Sequence, residues 1–280
     1  MPGPVYRFAP SPTGRLHRGH AFSALTAWRA CRAAGGTFRL RIEDIDRVRC
    51  RPEFEAGVIE DLTWLGVKWE GPILRQSERE EAYQAALDRL AQEGLLYRCF
   101  RTRREVAEAM TRAPHGDEPV FFGERLTPAE EVQRMEAGET FAWRLDVREA
   151  ARRAGPLTFL ETGLGPAGQT GPQAIRPETA GDIVLARKDI GVAYHLAVVV
   201  DDAFQGVTRV VRGCDLFGAT AVQRLLQAQL HLSEPTYQHH RLLVGPDGKR
   251  YAKRDRAETL QALRARGVTP ARLVAELALD

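Results

Sequence analysis

Three short stretches of this chain carry residue types able to handle a polyphosphate and an acid. The first is Arg7-Phe8-Ala9-Pro10-Ser11-Pro12-Thr13-Gly14-Arg15-Leu16-His17-Arg18-Gly19-His20. It reads as a strand, Val5 to Phe8, broken by the Pro-Ser-Pro-Thr-Gly turn. A helix follows, with Ala21, Phe22, Leu25 and Trp28 at helical spacing. Strand, tight turn and helix form an anion cradle, because the first backbone N–H groups of a helix lack partners within it. His17 and His20 stand in the first turn, and Gly19 between them adds no side chain to hold a triphosphate away. The second stretch, Gly248-Lys249-Arg250-Tyr251-Ala252-Lys253-Arg254, is a basic loop able to close over the same phosphates. The third is acidic: Glu43-Asp44-Ile45-Asp46 follows the alternating run Thr37 to Ile42. That is the strand end where open α/β sheets bind ligands. Activation of a carboxylic acid by ATP needs this kind of set: a phosphate cradle, cations for the leaving pyrophosphate, and a pocket for the acid.

The elements that must position these groups alternate in the manner of a parallel sheet. The first helix runs to Gly35-Gly36, a natural stop. After the acidic run, Pro52 starts a helix with Phe54, Val58, Leu62 and Leu65 on one face, ended by Gly66. Ser77-x-x-Glu80 reads as a capping box for the next helix, which carries Tyr83, Leu87 and Leu90. From Leu95 the rhythm changes. Thr102-x-x-Glu105 and Thr127-Pro128-Ala129-Glu130 start short helices, Phe141 to Leu145 reads as a strand, and residues 155–181 are rich in Gly and Pro. Residues 95–181 are therefore expected to be an inserted α+β subdomain between two halves of a parallel sheet. Asp182 to Ala186 and the apolar run Tyr194 to Val200 read as strands, the latter buried on both faces. Asp201-Asp202 after it is expected to cap or pair rather than bind metal. Thr208 to Val211 forms another strand, ending in Arg212-Gly213, before a helix with Ala221, Leu225, Leu226 and Leu230. Two short helices close the chain, the second from Thr269-Pro270. The expected organisation is a Rossmann-like α/β domain in two halves, 1–94 and 182–245, with the insertion 95–181 and a tail, 246–280, of basic loop and short helices.

Composition narrows the class. At 280 residues the chain can bury a full core, and 40 basic against 37 acidic side chains leave a formal charge of only +3. Basic residues instead concentrate at Arg98 to Arg104 and Lys249 to Arg256, with aromatics interleaved, as in nucleic-acid contacts. Cysteines 31, 50, 99 and 214 match no disulfide framework, and no apolar run approaches membrane length. A soluble cytoplasmic protein is expected.

The pair formed by Ala-Pro-Ser-Pro-Thr-Gly-x-Leu-His-x-Gly and the basic loop resembles the two signatures of class I aminoacyl-tRNA synthetases, in the form seen in the glutamyl branch. The resemblance runs over nearly the whole chain. It implies a Rossmann-like catalytic domain that binds ATP, with Mg2+, at His17, Gly19, His20 and Lys253, His17, His20 and Lys253 being catalytic. It also implies an L-glutamate pocket of Arg7, Phe8, Ala9, Pro10, Ser11, Glu43, Tyr194 and Arg212. In that pocket Glu43 takes the α-ammonium and Tyr194 and Arg212 hold a carboxylate. Two arginine forks and one acid suit a substrate with two carboxylates and one ammonium. The basic loop departs from the family's Lys-x-Ser-Lys: Arg250 and Ala252 replace the first Lys and the Ser, which leaves Lys253 as the main candidate cation. Relatives often carry a zinc knuckle in the insertion. Here Cys99-Phe100-Arg101 is followed by no cysteine until Cys214, with His115 the one nearby soft ligand, so no structural zinc is expected.

Only 26 residues follow Arg254, enough for about two short helices by ordinary helix lengths, so no anticodon-reading domain is expected. A free-standing catalytic half of this kind is similar to the glutamyl-Q branch of the family. Members of that branch transfer glutamate to queuosine in the anticodon loop of tRNA(Asp). The expected partners are then glutamate, ATP and a queuosine-bearing anticodon stem-loop, with the protein a monomer. Alternatives are a compact synthetase charging a tRNA 3′ end, another ATP-dependent ligase on the same fold such as a pantothenate synthetase, and a non-catalytic tRNA-binding paralogue.

Overall fold

The opening strand β1 (Val5–Phe8) lies inside the main sheet, flanked on one side by the next strand of the chain and on the other by a strand from far along the sequence. The computed structural model describes residues 3–111, 120–187, 191–243 and 258–279. From β1 the chain passes through α1 (Arg18–Ala33), β2 (Thr37–Ile42), α2 (Pro52–Trp64) and β3 (Leu74–Arg75). A 3-10 turn, Gln76–Glu78, leads into α3 (Glu80–Gln92) and β4 (Leu96–Cys99). Next come α4 (Arg103–Thr111), α5 (Pro128–Glu136), β5 (Ala142–Leu145), α6 (Val147–Ala154), β6 (Thr158–Glu161), β7 (Gly171–Ala174), β8 (Val184–Arg187) and β9 (Gly191–Val192). The chain ends with α7 (Tyr194–Phe204), β10 (Arg209–Gly213), α8 (Ala219–Gln229), β11 (Thr236–His240), α9 (Leu260–Ala265) and α10 (Pro270–Leu277).

Seven strands form the main sheet in the order β3-β2-β1-β10-β11-β6-β7. All neighbours are parallel except β7, which returns antiparallel to β6. The C-terminal ends of β1, β2 and β10 therefore open on one side, and the chain order reverses between β1 and β10, where such sheets hold ligands. Helix α1 starts at that edge. Its length follows from local chemistry: His17 caps the N-terminus, and Gly35, at φ +59°, takes the left-handed conformation that ends it. One core cluster joins α1, β1, β2 and α2 to Leu260, Leu263, Leu273 and Leu277 of the last two helices. A second lies between α3, α7, α8 and a small sheet, with Leu90, Leu145, Leu185, Leu196 and Leu225 fully buried. Among the described residues no helix is long and apolar enough to cross a membrane.

The structure departs from the sequence reading at three points. Residues Tyr194 to Val200 are not a strand but the first part of α7. Leu196 to Val199, Asp201 and Asp202 are all buried, so the apolar run has no period that separates a helix enclosed on all sides from a core strand. Second, β8 does not resume the parallel sheet. It pairs antiparallel with β5 in a four-stranded sheet, β4-β5-β8-β9, while β6 and β7, from the Gly- and Pro-rich region, extend the main sheet. Third, Ser77 does not cap α3. Its backbone N–H and hydroxyl bond to Asp44, at 2.9 and 2.6 Å, and Arg79 precedes the helix without a side-chain cap. The capping boxes of Thr127 with Glu130 and of Thr102 with Glu105 do form.

Candidate active site

Every candidate site residue except Lys253 lines a single cavity of about 620 Å³ at the C-terminal edge of β1, β2 and β10. Lys253 and the rest of the basic loop, with Lys249, Arg250, Ala252 and Arg254, lie outside the described residues. The described chain on either side still borders the site: Leu243 lines the cavity, and Thr259 bridges His17 as an antiparallel neighbour.

The floor is the N-terminus of α1. His17 Nδ1 accepts from the Gly19 N–H at 3.1 Å, and the His17 N–H donates to His20 Nδ1 at 3.2 Å, a capping box built from two histidines. Their ring centroids lie 3.9 Å apart. Because each ring accepts at Nδ1, each neutral imidazole carries its proton on Nε2.

Above it stands a buried network of alternating charge. Asp202, on α7, accepts from Arg7 Nε at 3.1 Å and Arg41 Nη1 at 2.7 Å, and Arg41 Nη2 donates to Glu43 at 3.2 Å. Arg41 is fully buried, and Arg7, Glu43 and Asp202 are nearly so. Burial opposes the Asp202 charge, yet Arg7 and Arg41 outweigh it and hold this carboxyl below the usual carboxylate range. At Glu43 burial wins over Arg41 and Arg7, and its pKa is raised. Among the described residues Arg7 is bonded only through Nε, and Glu43 only through one oxygen. Both keep hydrogen-bonding capacity on the cavity they line. Asp44 and Asp46, by contrast, are engaged with Ser77 and Arg49. Of the three acids in the run, Glu43 is the one that lines the cavity.

The opposite wall is Arg212, on β10 and only 4% exposed. Its partners are all neutral: Nε donates to His239 Nε2 at 3.1 Å, Nη1 to Gln223 Oε1 at 2.7 Å and Nη2 to Thr220 Oγ1 at 2.8 Å. Among the described residues no acid lies within ion-pair distance of it. A buried cation without a contacting counter-charge is costly unless a ligand supplies one. Tyr194, between Glu43 and Arg212, has its phenol pKa raised, first by burial and then by Glu43.

Sequence reasoning did not single out Arg41, Asp202 or His239 as members of this arrangement. Arg41 sits in a strand at a position any buried side chain could fill, and its partners Glu43, Asp202 and Gln205 are 2, 161 and 164 residues away. The basic stretch at Arg98 is also partly occupied. Arg98 pairs with Glu131 and lies 4.5 Å over the Trp143 ring, and Arg104 bonds Glu108 at 2.8 Å. Cys99, the cysteine weighed as a zinc ligand from the sequence, packs with Tyr97 and Phe121 in a small apolar cluster. Among the described residues no group of three or more His, Cys, Asp or Glu side chains is gathered around a possible metal position. His115 lies outside them.

A family model described as tRNA synthetases class I (E and Q), catalytic domain, matches residues 5–279. The chain is 48% identical over 275 residues to a glutamyl-Q tRNA(Asp) synthetase of Rhodobacter capsulatus, spanning 95% of this chain and 97% of that protein. It is 45% identical to one from Symbiobacterium thermophilum, spanning 97% and 84%. Among solved structures, a glutamate tRNA ligase of Elizabethkingia meningosepticum in complex with its amino acid superposes with a TM-score of 0.74 at 26% identity. That match spans 90% of this chain and about half, 52%, of the ligase.

Proposed function

We propose, for a chain that belongs to the class I glutamyl- and glutaminyl-tRNA synthetase catalytic-domain family, that it activates L-glutamate with ATP and transfers it to the queuosine base in the anticodon loop of tRNA(Asp). The observation that carries this reading is the cavity itself, where the uncompensated Arg212 cation and the Glu43 carboxylate face the same space as the N-terminus of α1. Glu43 and Arg7 receive the ammonium and one carboxylate of the amino acid, and Arg212 with Tyr194 receives the other. Phe8, Ala9, Pro10 and Ser11 close the side wall. ATP, entering with Mg2+ as its counter-ion, places its phosphates over the α1 N-terminus, His17, Gly19 and His20, with Lys253 on the leaving pyrophosphate.

The chemistry then follows in two steps. A carboxylate oxygen of glutamate attacks the α-phosphorus, the bond to pyrophosphate breaks, and glutamyl-adenylate forms. A cyclopentenediol hydroxyl of queuosine attacks the acyl carbon, the acyl–phosphate bond breaks, AMP leaves, and the hydroxyl proton passes to solvent. Fixed donors matter most where charge develops, and each is worth about 10²–10³ in rate. The queuosine acceptor is favoured over a tRNA 3′ end by the relatives the chain spans almost end to end, which are named for that substrate. Unstacked anticodon-loop bases are accessible in the way a duplex base is not. None of cysteines 31, 50, 99 and 214 is in a disulfide, in keeping with a cytoplasmic site of action, and we take the working unit to be a monomer.

The test is glutamate transfer to tRNA(Asp) with and without queuosine. Transfer should require the modified base, persist with an isolated anticodon stem-loop, and fail with guanosine in its place. Efficient charging of tRNA(Glu) at its 3′ end would overturn the acceptor assignment in favour of a compact glutamyl-tRNA synthetase. Absence of glutamate-dependent ATP–pyrophosphate exchange would overturn the enzyme itself.

A further inference from the structure

Arg212 is held by a relay that starts on a strand outside the cavity. Its Nε–H donates to His239 Nε2, so that nitrogen carries no proton and the ring hydrogen of the neutral imidazole sits on Nδ1. His239 Nδ1 faces Glu161 Oε2 in a short hydrogen bond. The other carboxylate oxygen, Oε1, accepts two backbone N–H groups, from Gly163 at 2.7 Å and His239 at 2.9 Å. All three side chains are buried, Glu161 and His239 to within 2% exposure or less. The backbone is shaped to close this contact. A Cβ on Gly163 would lie 2.4 Å from the His239 carbonyl oxygen, so only glycine lets the turn after β6 cross β11 at this distance.

We propose that Glu161 and His239 are positioning residues for Arg212, locking a neutral Nδ1-protonated imidazole against the guanidinium so that its charge is presented to the glutamate carboxylate. This rests on the reading of the cavity as a glutamate site. An acid placed directly on Arg212 would fix its geometry equally well but would neutralise it in advance. Interposing the ring keeps Glu161 one imidazole away. Arg212 gains orientation at Nε, while each η nitrogen retains a second N–H beyond those given to Gln223 and Thr220. Burial and the adjacent Arg212 also keep the His239 pKa below its ordinary value, against the pull of Glu161. Both neighbours select this tautomer, the Arg212 Nε–H at Nε2 and the Glu161 carboxylate at Nδ1. Every hydrogen-bonding position of Glu161 toward the ring and the two N–H groups is an acceptor, and no isosteric neutral group can match that. In Glu161→Gln, the amide oxygen can satisfy the backbone only by turning its NH2 to Nδ1. The ring proton would then move to Nε2, donor against donor at Arg212. Flipping the amide sets its NH2 against the two backbone donors instead.

The experiment measures glutamate-dependent ATP–pyrophosphate exchange in the full chain, together with side-chain 15N spectra of His239, assigned by difference with His239→Gln. Glu161→Gln should raise the KM for glutamate roughly 10-fold or more, with kcat and the KM for ATP within about 3-fold, as for other partners that orient a binding group. The wild-type ring should be the neutral Nδ1–H tautomer, moving to Nε2–H in Glu161→Gln. A Glu161→Gln variant that melts earlier but keeps its glutamate KM, or a wild-type ring protonated on Nε2, would overturn the proposal. If the wild-type protein shows no exchange with glutamate, the proposed function fails, and the tautomer measurement still decides whether the relay exists.

Discussion

Replacing Asp202 by Asn removes one negative charge from the centre of the Arg7–Asp202–Arg41–Glu43 network, which leaves Arg7 without its bonded acid and Arg41 bonded to Glu43. Shape and one acceptor oxygen are retained, so the change isolates the charge. Asp202 holds Arg7 at 3.1 Å and Arg41 at 2.7 Å, with Asp202 only 6% exposed and Arg41 fully buried. Breaking a buried pair by removing one partner costs about 3–5 kcal/mol, because the remaining charge is left uncompensated. For a chain of this size each kcal/mol moves the melting temperature by about 2–4 °C, so a drop of roughly 6–20 °C is expected. The effect also has a pH signature. The folded-state pKa of Asp202 is depressed, so its contribution is fully present above the unfolded carboxylate value and is lost as pH falls through the folded one. Wild type and variant should therefore differ at pH 7 and converge in acid. Differential scanning calorimetry across that range is the assay, with the glutamate KM as a second readout, since Arg7 loses its anchor. A variant that melts within about 3 °C of wild type at pH 7 would show that the network relaxes around the missing charge, which contradicts the reasoning.

Two further outcomes follow from buried carboxyls. Burial raises the Glu43 pKa, and the proposed α-ammonium contact needs this group ionised. The glutamate KM should accordingly rise as pH falls through a value above that of an ordinary Glu, a limb that should be absent in Glu43→Gln. On α2, Asp61 has both oxygens without hydrogen-bond partners and faces Arg264 at 3.7 Å, and burial pushes its pKa up to about 6. A raised folded pKa penalises the charged form fully above pH 6 and not at all well below the unfolded carboxylate value, so Asp61→Asn should stabilise the protein by about 3 kcal/mol at pH 7 and by almost nothing at about pH 2. Urea midpoints at the two pH values check this, and equal shifts at both would mean that packing rather than charge is responsible.

The local features of the site were legible in the sequence because they are set by neighbours in the chain. The strand–turn–helix of residues 5–33, the proline start of α2, the glycine stops at Gly35 and Gly66, and the Thr127 cap each depend on a few adjacent residues. Arg7, Glu43 and Arg212 could be assigned to one crevice because parallel strands present their C-terminal ends on the same side. What the sequence left undecided depends on contacts made over long separations. The run Tyr194 to Val200 is apolar enough to be enclosed either as strand or as helix. The surroundings of α3 and α8 decide for the helix, and with it turn Asp201 toward Tyr83 and Asp202 toward Arg7 and Arg41. Strand β8 carries no mark of which sheet will take it, since alternation is the same in both, and only β5 beside it settles the matter. The relay behind Arg212 is the clearest case. Glu161 and His239 are 78 residues apart, and neither type nor spacing connects them until β6 and β11 lie side by side. Periodicity along a chain reports which face of an element is buried. Which partner a buried charge meets there is fixed only when the sheet order brings distant strands into register.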